Sequence, residues 1–419
     1  MVEQESVFDI VIVGGGLIGI PMAVACATAG MRVAIIDHAK PHSCSDTVFD
    51  GRVSAINRSS YLMLDTIGVW QHIEPKAQPI NDIRVVDSDA PLFLHFDHKE
   101  GVPSDQKPSP YGFMVENRVL LKALDLRVRE FVETITRFAP DEAVSIDRAP
   151  NQVTITLKSD HTIHAPLLVA ADGRKSGVRE LANIPSHGWT YAQTGIVLAM
   201  YHDKPHHGLA LERFRAGGPF AVLPMVDDET GRHQSGIVWC ENPKVAKNML
   251  VLDDRAFLEE LTRRVGSYLG NLSLKGPRWS FPLALNHARR YFDHRMALVG
   301  DAAHAMHPVA GQGLNLGLRD VASLAQAVID QRRLGLDIGA ELILKRYDHS
   351  RKLDAMALMG MTDMLTRLFS NNKAPIDISR KIGLATVQRL TPLKVFFTRH
   401  ATKGSGNASK SRLLVGESL

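Results

Sequence analysis

The chain has 419 residues, 45% hydrophobic and 22% charged, a balance that excludes wholesale disorder and predicts about two to four folded units. Lys and Arg exceed Asp and Glu by only four, too little to mark a nucleic-acid binder by charge. The three cysteines, Cys26, Cys44 and Cys240, exclude a disulfide scaffold and a four-thiolate zinc site, and suit a reducing cytosol.

Residues 8–13, FDIVIV, read as a strand buried on both faces. Gly14-x-Gly16-x-x-Gly19 follows at once. Residues 20–30 then predict a helix closed by Gly30, and residues 32–36 a second strand with Asp37 at its end. Residues 10–30 are also uncharged and long enough to cross a bilayer. Their leading flank holds Glu3, Glu5 and Asp9 and no Lys or Arg, the wrong sign for a signal peptide. With the glycines and Pro21, strand-turn-helix is the better reading, and a soluble or peripherally bound protein is expected. In that reading Gly14 allows the tight turn, Gly16 admits a pyrophosphate to the backbone, and Gly19 lets helix and strand pack closely. The helix start favours anions, and Asp37 can accept from ribose hydroxyls. The pattern predicts a dinucleotide site without separating FAD from NAD.

Later segments add to it. Residues 50–56 read DGRVSAI and 111–117 YGFMVEN. Residues 165–173, APLLVAADG, are an apolar strand ending in Asp172 and Gly173. The runs 195–201 and 209–214 predict strands, as do 216–224 and 237–239. Residues 296–301, MALVGD, form another buried strand ending in Asp301, and Gly311, Gly313 and Gly317 make a second glycine-rich passage into a helix. His202, His206 and His207 lie in a polar loop, read as solvated surface with a metal site as the alternative; no metal is predicted. Helical apolar spacing marks 346–400, with the run 356–365 read as core. Residues 371–419 carry nine Lys or Arg and two acids. Leu393, Val395, Phe396 and Phe397 among those cations suit an anionic membrane surface; a solvated helix with a frayed tail is the alternative.

In order and spacing these motifs resemble the FAD-dependent aromatic hydroxylases of the para-hydroxybenzoate hydroxylase type. The segments DGRVSAI and YGFMVEN resemble their ubiquinone-biosynthesis branch. The resemblance implies an α/β fold: a Rossmann-like, glutathione-reductase-type FAD domain, an inserted antiparallel β-sheet substrate domain and a C-terminal helical region. On that pattern residues 1–78, 115–183 and 287–345 form the FAD domain, 79–114 and 184–286 the substrate domain, and 346–419 the helical region with its basic tail. Gly14, Gly16, Gly19 and Asp37 would hold the ADP half of FAD, although most relatives carry Glu where Asp37 stands. Asp172 and Gly173 would lie near the pyrophosphate, and Asp301 would bond the ribityl or ribose hydroxyls. Pro308, Gly311, Gln312, Gly313, Leu314 and Asn315 would border the isoalloxazine ring, with Arg52 touching it from the side where it moves.

The implied activity is ring hydroxylation of a polyprenylated phenol in ubiquinone biosynthesis. FAD is the cofactor, NAD(P)H visits transiently, and oxygen is carried as a flavin C4a-hydroperoxide. No Ser-His-Asp or Cys-His constellation is evident, and the catalytic base is not identified. The flavin-proximal candidates are Arg52, His304 and Pro308, with a loop-holding role as the plainer reading of His304. A biosynthetic complex and a seat on the inner membrane face are the candidate associations of this cytoplasmic protein. The alternatives are a hydroxylase of a smaller phenol and a non-catalytic flavoprotein scaffold. A flavin halogenase is disfavoured because Trp70, Trp189, Trp239 and Trp279 form no closely spaced pair.

Overall fold

The computed structural model describes residues 5–41, 49, 51–87, 93–100, 108–215, 217–306, 311–369 and 411–419. Val and Ile dominate the strands Ile10–Val13 and Val33–Ile36, and every one of these residues is buried. They pair in parallel inside a six-stranded sheet. Its strand order is Phe292–Asp293, Met296–Leu298, Leu168–Ala170, Ile10–Val13, Val33–Ile36, Ile135–Phe138. All neighbours in it are parallel except the first two. The chain runs outward from Ile10–Val13 to one side and later returns to the other. The strand order therefore reverses at this strand, where open α/β sheets place ligands, beyond the carboxyl ends. The helices Gly19–Thr28 and Gln312–Arg333 pack on this sheet through one continuous apolar core.

An eight-stranded sheet lies beside it. It contains 82–87, 93–97, 186–202, 209–215, 218–225, 233–241 and 272–288, and His304–Ala305 joins its edge from outside the expected range. Two 17-residue strands, Ser186–His202 and Leu272–Ala288, form its long antiparallel pair. Alternation along its strands separates two faces. Ile196, Leu198, Leu211, Phe220, Ile237 and Trp239 face a core closed by the helix Asp254–Val265. Val197, Ala221 and Val238 face a cavity.

The last turn of the fold bears on the alternative of a frayed tail. Residues 411–419 are no frayed end. Leu413 and Leu414 are buried, Ser411 Oγ donates to Ala322 O at 3.1 Å, and Arg412 pairs with Asp330. Residues 370–410, which include Leu393 to Phe397, lie outside the described residues. The predicted helix begins earlier and is described as Glu341–Phe369. Its methionine run is core on one face only. Leu358 and Met359 are buried, whereas Leu353, Met356 and Met364 are 58%, 54% and 67% exposed.

The glycine turn is sterically closed. A Cβ on Gly19 would stand 1.7 Å from Gly14 O, and one on Gly14 would stand 2.3 Å from Ala171 O. Gly19→Ala is therefore expected to cost about 1–3 kcal/mol or more, the range for overpacking, in denaturant unfolding. Stability equal to the parent chain would show that strand and helix separate freely.

Candidate active site

The separate motifs of the sequence meet at one end of the six-stranded sheet. Gly14 packs on the Ala171–Asp172 backbone. Ile18, in the same turn, fills the space beside Gly300 and Gly317, where added Cβ atoms would lie 3.0 and 2.6 Å from it. Arg179 ties the second motif to the third, donating to Ala302 O at 2.8 Å and to Arg174 O at 3.0 Å.

The helix beginning at Gly19 has no side-chain cap and no acid in its first turn, so no side chain competes with an anion for its positive end. Gly16 and Gly173 have nothing within 4 Å of an ideal Cβ, leaving bare backbone toward that opening. Asp172 accepts Val178 N–H at 3.1 Å through Oδ2, while its buried Oδ1 has no partner. Burial pushes the Asp172 carboxyl up against the opposing bonds from Ser176 and Val178. Asp301 stays open to the cleft although protein surrounds it, and that desolvation raises its carboxyl against the pull of His304 and Arg174. Asp37 is drawn inward. Gly15 N–H donates to its Oδ2 and Ala39 N–H to its Oδ1 at 2.7 Å, so its carboxylate also fastens the glycine turn. An uncapped helix start, bare glycine backbone and two carboxylates raised by desolvation make a donor set that fits a dinucleotide with an anionic centre and hydroxylated arms.

A mostly apolar cavity of about 490 Å³ lies between the eight-stranded sheet and the strand Val53–Asn57 with the start of the helix Gln312–Arg333. Arg52, Gly311, Gln312 and Asn315 border one side. Gly51 takes φ +79°, and a Cβ there would meet the Trp279 ring at 2.3 Å, so only glycine seats Arg52's loop. Gly311 opens the helix Gln312–Arg333 in a left-handed conformation and packs against Ala55. Gly313 and Leu314 follow within that helix, Leu314 against the core. Asn315 is fully buried. Its Oδ1 accepts Asn57 N–H at 3.0 Å and its Nδ2 donates to Ala55 O at 2.8 Å, so it clamps the strand Val53–Asn57 that carries Arg52 into place. Pro308 lies outside the described residues.

His304 is buried, and its Nε2 lies 2.6 Å from Asp320 Oδ2. Asp320 also accepts from Gly300 N–H at 3.0 Å and from Arg351 Nε at 2.7 Å. Arg351 continues to Asp354 at 2.8 Å, and Arg319 lies 3.5 Å from the same carboxylate. Burial alone would push the Asp320 carboxyl up; His304 and Arg351 outweigh it and hold it low. Neither Asp320 nor Arg351 was among the sequence candidates. Their signal was available: charges placed among apolar residues of a predicted helix, and Arg351 three residues before Asp354.

The histidine loop is solvated surface only in part: His207 is exposed, as expected, whereas His202 and His206 are held by the protein. His202 is buried with Nε2 3.0 Å from Ser235 Oγ, and His206 Nε2 lies 2.9 Å from Met225 O. Among the described residues no group of three or more His, Cys, Asp or Glu could hold a metal.

The FAD binding domain family model matches residues 7–362. The chain belongs to this FAD-binding family. Among curated relatives it is 45% identical to the ubiquinone hydroxylase UbiL of Rhodospirillum rubrum, over 95% of this chain and 90% of that protein. It is 32% identical to the 3-demethoxyubiquinol 3-hydroxylase of Escherichia coli, over 92% and 96% of the two chains. The fold resembles p-nitrophenol 4-monooxygenase PnpA of Pseudomonas putida, with a TM-score of 0.77 at 19% identity over 96% of this chain and all of that one.

Asp320→Asn would leave His304 and Arg351 without their carboxylate in a buried site. A loss of about 3–5 kcal/mol is expected in chemical unfolding. A loss below about 1 kcal/mol would show that the network contributes little.

Proposed function

We propose that the chain is an FAD-dependent monooxygenase that hydroxylates the aromatic ring of a polyprenylated phenol in ubiquinone biosynthesis. One oxygen atom of O2 enters a ring C–H bond, the other leaves as water, and NAD(P)H supplies the two electrons. The bound flavin supplies the activation of oxygen. What carries this reading is the apolar cavity that opens onto the Gly311–Asn315 turn and Arg52, in a chain whose glycine motifs belong to an FAD-binding family. Relatives named as ubiquinone hydroxylases across nearly the whole chain support the substrate class.

The residues divide the work. Gly14, Gly16 and Gly19 hold the ADP half, with Asp37 setting their turn. Asp172 and Gly173 face the pyrophosphate side, where NAD(P)H also approaches. Asp301 bonds the hydroxylated arm. Gly311, Gln312, Gly313, Leu314 and Asn315 border the ring edge, with Pro308 in the preceding segment and Arg52 touching the ring from the side where it moves. In this division residues 1–78, 115–183 and 287–345 serve the flavin, and 79–114 and 184–286 the substrate. The apolar walls exclude water from the reacting atoms and hold the ring carbon near the activated oxygen.

Each CH2 of a tail removed from water contributes about 0.8 kcal/mol, so a single five-carbon unit outweighs a net hydrogen bond of about 1 kcal/mol. Selection of the substrate therefore rests on apolar length. A yellow protein is expected that NAD(P)H bleaches without oxygen, and that in air transfers label from 18O2 to a 2-polyprenylphenol. Unprenylated phenol should lower kcat/KM by at least about 100-fold. A colourless chain that refuses FAD overturns the reading, and equal turnover of the two phenols redirects it to a smaller substrate.

Such a substrate resides in lipid, and the nine Lys and Arg of residues 371–419 would draw the protein to an anionic membrane surface. Among the described residues no helix is long and apolar enough to cross a membrane. Sedimentation with anionic vesicles is expected at low salt and release at high salt. Equal sedimentation with and without vesicles would reject the contact.

A further inference from the structure

The cavity carries one feature that the proposed activity leaves unassigned. Across the sheet wall the paired registers run Val197, Val238, Ala221, Glu212, Val85. All five line the cavity, and four are small apolar residues. Glu212 is the only carboxylate among the described residues of that lining, and it sits in the middle of the sheet wall, away from a sheet edge.

The other polar groups of the lining are unsuited to take a proton. Tyr111 Oη donates to Asp97 O at 3.0 Å, and burial, with Glu100 and Asp97, pushes its hydroxyl up to about 12. Burial pushes the Cys240 thiol up, and the nearby charge of Glu212 adds to that. Thr362 Oγ1 donates back to Leu358 O at 3.0 Å. Asn57, Asn117, Gln312 and Asn315 are amides, and Arg52 is a cation. A carboxylate is a strong acceptor for any hydroxyl brought beside it.

We infer that Glu212 is the catalytic base of the ring hydroxylation, accepting the proton of the phenol hydroxyl. The inference rests on the monooxygenase reading above. As oxygen bonds to the ring carbon, the ring needs an electron pair, which the hydroxyl oxygen provides while its O–H bond breaks toward Glu212. That carbon then sheds its hydrogen as a proton, which ends in the water formed from the second oxygen atom, while Glu212 returns the first proton to the hydroxyl oxygen, and the product is neutral. Arg52 and the Gly311–Asn315 turn border the cavity on the other side, so the ring lies between the base and the oxygen source. The same carboxylate orients the ring by accepting from its hydroxyl.

The test uses Glu212→Gln in the FAD-loaded protein, which keeps shape and volume. Parent and variant are compared on 2-geranylphenol and on 2-geranyl-3,5-difluorophenol, whose hydroxyl is more acidic and whose free ortho carbon and para carbon keep hydrogen. With 2-geranylphenol the variant should keep its FAD and consume NAD(P)H, yet form product about 100-fold more slowly, releasing hydrogen peroxide instead. The difluorophenol should recover most of that loss, because it ionises with less help. Parent-like product formation by the variant overturns the inference, and so does an equal loss on both phenols, which marks a packing role. If the parent chain hydroxylates neither phenol, the failure lies in the monooxygenase reading itself.

Discussion

Backbone meets backbone at the start of this fold with no room for a side chain between. Gly14 and Gly19 touch across the first turn, and Gly14 in turn rests on Ala171 and Asp172. Ile18 then wedges between Gly300 and Gly317. Three segments more than 100 residues apart are thereby held in direct contact. A ligand seated on the helix start is necessarily beside Asp172 and Asp301, because steric closure leaves those strand ends nowhere else to go. Packing of this kind transmits position more rigidly than hydrogen bonds between long side chains would, since a close-packed interior has little slack.

The ion network behind His304 does a different task. Replacing buried charges by apolar groups is often neutral or stabilising, so stability alone does not account for a carboxylate as deeply buried as Asp320. Direction does. Asp320 binds Gly300 N–H, the His304 ring and Arg351 together. Those three groups belong to the strand end, to the edge of the eight-stranded sheet and to the helix Glu341–Phe369. The same helix puts Leu358, Met361 and Thr362 into the cavity wall. Apolar contacts would bury as much surface, but burial by itself favours no single rotation of that helix about its axis. Asp320 fixes the rotation, and with it the wall that a substrate meets.

Much of the dinucleotide half was legible because its signals are contiguous. A strand, a glycine turn and a helix fall within about twenty residues, and Gly14 and Gly19 have backbone reasons that no long-range contact alters. The meeting of the motifs was legible only through resemblance to a family, since pairing of 10–13 with 168–170 leaves no local trace. The cavity was less legible still. In LALERF, residues 209–214, alternation separates Leu211 from Ala210 and Glu212 correctly, and Leu211 does face the helix-covered core. The polar face reads as solvent in sequence, whereas here the flavin-side segments cover it. His202 failed for a related reason. Its loop is rich in charge, but Ser235 and the Lys204 carbonyl satisfy the ring from a neighbouring strand and from its own turn.

Affinity and orientation then come from different parts of one cavity. An apolar tail contributes binding in proportion to its buried surface, and that contribution has no direction. A prenylated ring held by its tail alone would present any of several carbons to the oxygen source. One polar acceptor on an otherwise apolar wall removes that freedom, since only poses with the hydroxyl toward Glu212 satisfy both groups. The discrimination is asymmetric. A missing five-carbon unit weakens binding by degrees, but a ring lacking the hydroxyl loses a charge-assisted hydrogen bond and with it the contact that orients the ring. Such a site tolerates variation in tail length far better than the loss of a single ring oxygen. That tolerance suits a wall built from Val85, Val197, Ala221 and Val238 around one carboxylate.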